Sequence, residues 1–353
     1  MAGLYHRFDG YEDLKAILEG SEEDVLGALA DRPALIRIPA ASTAAAPKGR
    51  LIACLMHGNE PSGFQAMVEL LRRADRFPFD LWVLIGNVRA AIQDGLYAHR
   101  HLDDQEDFNR VWDVGPATTR MRRGATGILE ELRSANLEAA IDLHNNSGRN
   151  PCYAILTQLS PEGLRLASLC ADTMLHWRLR AHTLMEALAP ACPTVSVECG
   201  LPHLPEGTAF ASAVVHRFLA AETFAVPAAD ERARPPRMLE ILHRVTVRPE
   251  VAFSFDAADG EPDFVIAPGL DTYNFDVLPA DHTIGHIDPG AAVPLSARDM
   301  AGTDVTDQLF RATPDGRVIV VTDIMPVMMT TTVQQARRDC LFYTSGLINY
   351  RPW

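Results

Sequence analysis

The stretch LIACLMHGNEPSGFQAMVELL, residues 51–71, decides the fold class. Its first six residues form a continuous apolar run, the pattern of a strand buried on both faces. HGNE at 57–60 makes a turn, and Phe64, Met67, Val68 and Leu71 then recur at helical spacing. Strand, short turn and helix form the repeating unit of a parallel sheet covered by helices. Outward from it, residues 81–85, 139–143 and 194–197 are further buried-strand candidates, and helical patterns run over 161–176 and 206–224. The chain up to about residue 225 therefore reads as α/β, a mixed, largely parallel sheet flanked by helices. The Ala-rich stretch 40–47 reads as a loop before the first buried strand.

At 225–237, AVPAADERARPPR concentrates Pro, Ala and charge, and beyond it short strand patterns at 239–247, 264–266, 283–287 and 317–322 are punctuated by Gly, Pro and Asp. The expected organisation is a catalytic domain over 1–230 and a smaller all-β domain, a barrel or sandwich, over 237–353.

The chain has 353 residues, 47% of them hydrophobic, enough for one large core and a second, smaller one. A net charge of -14 argues against nucleic acid and anionic membrane surfaces as partners, because both require a basic face. No apolar run approaches the roughly 20 residues that cross a bilayer, and the start lacks a basic segment followed by an apolar one. The expectation is a cytoplasmic protein. Six cysteines without C-x-x-C spacing read as buried free thiols, with Cys199 singled out because it follows Glu198.

In parallel sheets, sites form beyond the carboxyl ends of the strands. His57 and Glu60 stand three residues apart just past such an end and can converge on one ion, with Gly58 expected to allow a sharp turn between them. The strand over 139–143 ends in DLHNN at 142–146 and delivers His144. Two His and one Glu leave the fourth position of a tetrahedral zinc open, as catalytic zinc requires. Asp142 is either structural or a hydrogen-bond partner that fixes a ligand's tautomer, and His144 alone reads equally as a strand-end cap.

The strand over 194–197 delivers Glu198, a carboxylate suited to taking a proton from water and passing it to a leaving amine. Taken singly, it reads first as a solvated terminus or half of an ion pair. In DFNR at 107–110, Arg110 can fork onto a carboxylate with Asn109 adding a donor, and Arg100 can steady an oxyanion. Loop arginines are otherwise simply solvated.

In this order, HGNE at 57–60, DFNR at 107–110, DLHN at 142–145 and VECG at 197–200 resemble the succinylglutamate desuccinylase/aspartoacylase family of zinc carboxypeptidase-like hydrolases. The resemblance implies one Zn2+ on His57, Glu60 and His144, Glu198 as general base and acid, and Asn109 and Arg110 gripping a substrate carboxylate. It also implies a carboxypeptidase-like α/β domain capped by a β domain, with Arg100 equated to the oxyanion arginine. Phe108 stands where the family more often has Leu, and the stretch between Arg100 and Asn109 is longer than in the aspartoacylase branch. The expected reaction is hydrolysis of the amide of a small N-acyl amino acid, the expected partner is that small molecule, and a homo-oligomer is allowed. The alternatives are a zinc carboxypeptidase acting on short peptides and a catalytically silent metal-binding protein. Tyr273 in the β region reads as an ordinary strand aromatic or as a residue that reaches the site.

Overall fold

A computed structural model describes residues 3–41, 47–113, 115–225, 237–256 and 260–348. Residues 226–236, where the domain boundary is expected, lie outside the described residues, as do 42–46 of the Ala-rich loop.

The first part of the chain supplies strands β1 (His6–Asp9), β2 (Ala34–Ile38), β3 (Gly49–Cys54), β4 (Asp80–Ile85), β5 (Leu137–His144), β6 (Tyr153–Leu156), β7 (Thr173–His176) and β8 (Thr194–Glu198). Its helices are α1 (Glu22–Leu29), α2 (Ser62–Arg72), α3 (Val88–Ile92), α4 (Arg120–Ser134), α5 (Pro161–Cys170), α6 (Leu184–Leu188) and α7 (Pro205–Ala220). The later part supplies β9 (Arg237–Val247), β10 (Phe253–Ser254), β11 (Phe264–Ile266), β12 (Thr283–Ile287), β13 (Leu295–Asp299), β14 (Phe310–Ala312), β15 (Arg317–Val320), β16 (Met325–Val327) and β17 (Phe342–Leu347), with short helices α8 (Thr306–Leu309) and α9 (Val333–Arg338).

The large sheet has the order β1-β2-β4-β3-β5-β8-β6-β7-β9-β17-β16, with β13 also on β9. At its centre β4, β3, β5 and β8 are parallel, and β6 joins β8 antiparallel. Alternation along the strands explains their unbroken apolar runs. Ile52, Cys54, Val83, Ile141 and Val195 face a core shared with α2, α5 and α7. Leu51, Ala53, Leu84 and Ala140 face a second core with Ile128 and Leu129 of α4 and Leu184 and Leu188 of α6. Each fully buried Leu, Ile or Phe contributes roughly 1.5–3 kcal/mol, so both layers are firmly docked.

One feature differs from the sequence expectations. The pattern over 161–176 is not one helix: α5 ends at Cys170, and 173–176 becomes β7, whose Met174 and Leu175 are buried. An apolar run this short fits either state, and pairing with β6 and β9 decides it. The β-rich region after 237 is joined to the first part of the chain through the large sheet. Eleven-residue β9 pairs with β7 through its first residues and with β13 through its last, so β9, β13, β16 and β17 continue the large sheet. The separate five-stranded sheet, β10-β11-β12-β15-β14, has its own core around Phe253, Phe264, Phe310 and Val318. Gly58 lies in the turn expected between His57 and Glu60, and the positive φ nearby falls on Leu55 at 55°. Gly58 is required instead by close approach: a Cβ there would lie 2.5 Å from Ala91 N and 2.7 Å from the His99 carbonyl oxygen.

Candidate metal centre and its cavity

The register of the central strands brings the chemistry together. In the parallel β5–β8 pair His144 lies directly opposite Glu198, and in the β3–β5 pair Cys54 lies opposite Leu143. His57 and Glu60 follow β3 by a few residues, so three consecutive strand ends open on one point. A single amide ties these ends together. Asn145 accepts from Ser62 N through its Oδ1 at 3.1 Å, and its Nδ2 donates to Ser62 Oγ at 2.9 Å and to the Gly200 carbonyl at 3.0 Å. It thereby caps α2, whose Pro61 offers no side-chain cap. The sequence reading gave Asn145 no role.

His57, Glu60 and His144, all buried, present ligand atoms within 4.8 Å of one another. Glu60 is the hub: its Oε1 lies 2.8 Å from His57 Nδ1, and its Oε2 2.8 Å from His144 Nδ1. The far nitrogen of each ring meets an aspartate, His57 Nε2 to Asp107 Oδ1 at 3.0 Å and His144 Nε2 to Asp142 Oδ2 at 2.8 Å. Outer carboxylates of this kind set the ring orientation and leave the two Nδ1 atoms directed inward with Glu60. Asp142 is thus within hydrogen-bond distance of the His144 ring, as the hydrogen-bonding reading of it requires. Asp107 is placed likewise against His57, a role the sequence reading did not assign, and it also receives the Asn109 N–H at 2.8 Å.

Burial raises the Glu60 carboxyl, but the two imidazoles outweigh it and hold it well below the ordinary value. Burial lowers His144, and Asp142 and Glu60 more than reverse that. Asp107 is pushed up by burial and brought well down by His57 and Arg100. A carboxylate whose ionised form is favoured, between two inward-facing imidazole nitrogens, is a donor set suited to a divalent transition metal.

Glu198 differs from the other acids. It is 8% exposed, its Oε2 is buried without a hydrogen-bond partner, and burial leads the shift that pushes it up to about 8. Arg100 reaches the same point, donating from Nη1 to Glu60 Oε1 at 3.0 Å and from Nη2 to Asp107 Oδ2 at 3.4 Å. Asn109 Nδ2 lies 3.3 Å from His144 Nε2, and its Oδ1 receives the Leu184 N–H at 3.1 Å. Arg110, in the turn Phe108–Arg110, faces Asp339 at 3.8 Å.

The seven residues expected to act as metal ligands, general base, oxyanion arginine and carboxylate grip line one cavity of about 120 Å3: His57, Glu60, Arg100, Asn109, Arg110, His144 and Glu198. The opposite wall comes from the later part of the chain, with Met328, Thr330, Gln335, Asp339, Cys340 and Tyr343. These positions carry no local motif, and tertiary packing alone brings them there. Gly148 fixes that closure, because a Cβ on it would lie 2.1 Å from the Met329 carbonyl oxygen. Tyr273 is not among the lining residues and packs its ring 4.8 Å from that of His282. Cys199 is fully buried, and burial raises its thiol well above the ordinary value, which removes it as a nucleophile.

No family model and no curated protein sequence matches the chain. Solved structures do. The succinylglutamate desuccinylase from Chromobacterium violaceum is 18% identical with a TM-score of 0.50, covering 78% of this chain and 85% of that one. The succinylglutamate desuccinylase/aspartoacylase from Rhodobacter sphaeroides is 14% identical with a TM-score of 0.58, at 88% coverage of both chains. The succinylglutamate desuccinylase from Vibrio parahaemolyticus is 14% identical with a TM-score of 0.57, covering 90% and 87%. The fold is therefore that of the succinylglutamate desuccinylase/aspartoacylase structures. Among the described residues, no helix is long and apolar enough to cross a membrane.

Proposed function

We propose that this chain, with the desuccinylase/aspartoacylase fold, is a member of that family and a zinc-dependent hydrolase that cleaves the amide of a small N-acyl amino acid. One observation carries the reading: the buried His57–Glu60–His144 group lies beside Glu198, whose carboxylate oxygen has no protein partner. The residues fit zinc, since two nitrogens and one carboxylate oxygen converge and each imidazole is backed by an aspartate. When bound, zinc supplies Lewis acidity that polarises the scissile carbonyl and makes water more acidic.

The remaining roles belong to the chain. Glu198, with an affinity for protons near neutrality, takes a proton as water adds to the carbonyl carbon and returns it to the amine nitrogen as the C–N bond breaks. The products are a carboxylic acid and a free amine. Arg100 uses two of its five N–H donors on Glu60 and Asp107, which leaves the guanidinium oriented and charged toward the developing oxyanion. Arg110 offers a forked contact to the substrate carboxylate, which would displace the long Asp339 pairing. Asn109 is held by Leu184 N–H and donates beside it.

The test is Glu198→Gln, which keeps the shape and removes the base. It is expected to retain zinc and lose turnover of N-acyl amino acids; near-normal turnover at full zinc occupancy would refute the proposed role. Assays against short peptides separate this reading from a carboxypeptidase.

A further inference from the structure

The cavity has two chemically different ends. Arg100, Arg110, Gln335 and Asp339 also border a polar depression on one side, whereas Thr157 and Trp177 also border a separate cavity on another. The second end is framed by Ile155, Thr157, Trp177, Met328, Cys340 and Tyr343, none of them charged, with Tyr343 OH donating to Asp339 Oδ1 at 3.4 Å at its border. Trp177 and Tyr343 meet edge to face there, with ring centroids 5.2 Å apart. Its polar groups are neutral, and two of them, Thr157 Oγ1 and Trp177 Nε1, are buried without a protein partner.

The cavity holds two guanidiniums, each already facing an acid. Arg100 is engaged by Glu60 and Asp107, and Arg110 by Asp339. One substrate carboxylate can displace Asp339, but a second one, carried into the aromatic end, would meet no cation. Arg178 and Arg180 line the adjoining cavity rather than this one, where Asp113 and Glu186 offset them, and Arg178 pairs with Glu240 at 3.6 Å.

Resting on the proposed amide hydrolysis, we infer that the acyl group removed is uncharged and aromatic or large and apolar, selected by Trp177 and Tyr343, and is not a dicarboxylic acyl group such as succinyl. A ring packed on this pair gains the geometry-specific part of an aromatic contact, worth about 3- to 10-fold in binding. A buried carboxylate that meets only the neutral donors of Thr157 and Trp177, with no cation, loses roughly tenfold or more.

The experiment uses the full-length zinc-loaded protein with N-benzoyl-, N-phenylacetyl-, N-acetyl- and N-succinyl-alanine. The aromatic compounds are expected to exceed N-succinylalanine in kcat/KM by about tenfold or more. In Trp177→Leu and in Tyr343→Leu the benzoyl-to-acetyl ratio is expected to fall about 3- to 10-fold, mainly through KM. A more conservative change, Trp177→Phe, keeps part of the preference and guards against a variant that merely fails to fold. Calorimetric binding of the same compounds to the Glu198→Gln protein gives a readout that does not need turnover. If nothing is hydrolysed but N-benzoylalanine still binds more tightly than N-succinylalanine, the proposed reaction fails and the specificity stands. Equal or tighter binding of N-succinylalanine, or ratios unchanged in both leucine variants, overturns the inference.

Discussion

Replacing Asp142 by Asn tests the buried support of the metal group. Asp142 is fully buried, and its Oδ2 lies 2.8 Å from His144 Nε2. The substitution removes the negative charge that favours a proton on Nε2 and supplies an amide whose NH2 end competes for the same position. Changes to such outer partners cost 10- to 100-fold in metal affinity. The fully buried site, with no other charge on that nitrogen, belongs at the upper end, about 100-fold or roughly 3 kcal/mol. Asp107→Asn belongs at the lower end, about tenfold, because the Asp107 side chain is 17% exposed and shared with Arg100. Competition against a chromophoric chelator measures both zinc affinities, and thermal melts confirm that the variants fold. An Asp142→Asn affinity within about threefold of the parent, or a larger loss at Asp107 than at Asp142, would refute this reasoning.

Two further perturbations probe the opposite wall. Asp339→Asn frees Arg110 from its 3.8 Å pairing, and a partly exposed pair of this kind is worth about 0.2–1 kcal/mol. KM for a carboxylate-bearing substrate should therefore fall about 1.5- to 5-fold with kcat nearly unchanged, as steady-state kinetics will show. Gly148→Ala forces a Cβ to 2.1 Å from the Met329 carbonyl oxygen. It should destabilise the protein by about 1–3 kcal/mol in denaturant titration and lower activity by moving the 328–330 segment off the cavity.

Much of the site was legible in the sequence because its parts sit where buried strands end. Apolar runs at 51–56, 139–143 and 194–197 located the edge, and His57, His144 and Glu198 lie at it. Single residues were ambiguous, and the structure brings them together at converging strand ends. What escaped the sequence depends on long-range packing. Asp107 reads as part of an arginine motif until its 3.0 Å contact with His57 is known, and Asn145 as a strand-end polar residue until it is seen joining Ser62 to Gly200. Strand β7 is four residues long, too short for periodicity to separate it from the helix before it. The continuation of the large sheet into β9 could not be read either, since a strand pattern does not identify its partner. Tyr343 and Asp339 reach the cavity only because β17 pairs with β9, more than ninety positions earlier in the chain.

The central claim is that Glu198 works as base and acid beside a zinc held by His57, Glu60 and His144. The most direct measurement compares turnover of an N-acyl amino acid by the zinc-loaded protein and by Glu198→Gln, with zinc content determined on the same samples. The account predicts one zinc per chain in both and a fall in kcat of about 10^2- to 10^4-fold in the variant. Comparable turnover by the two proteins at equal zinc content would contradict it.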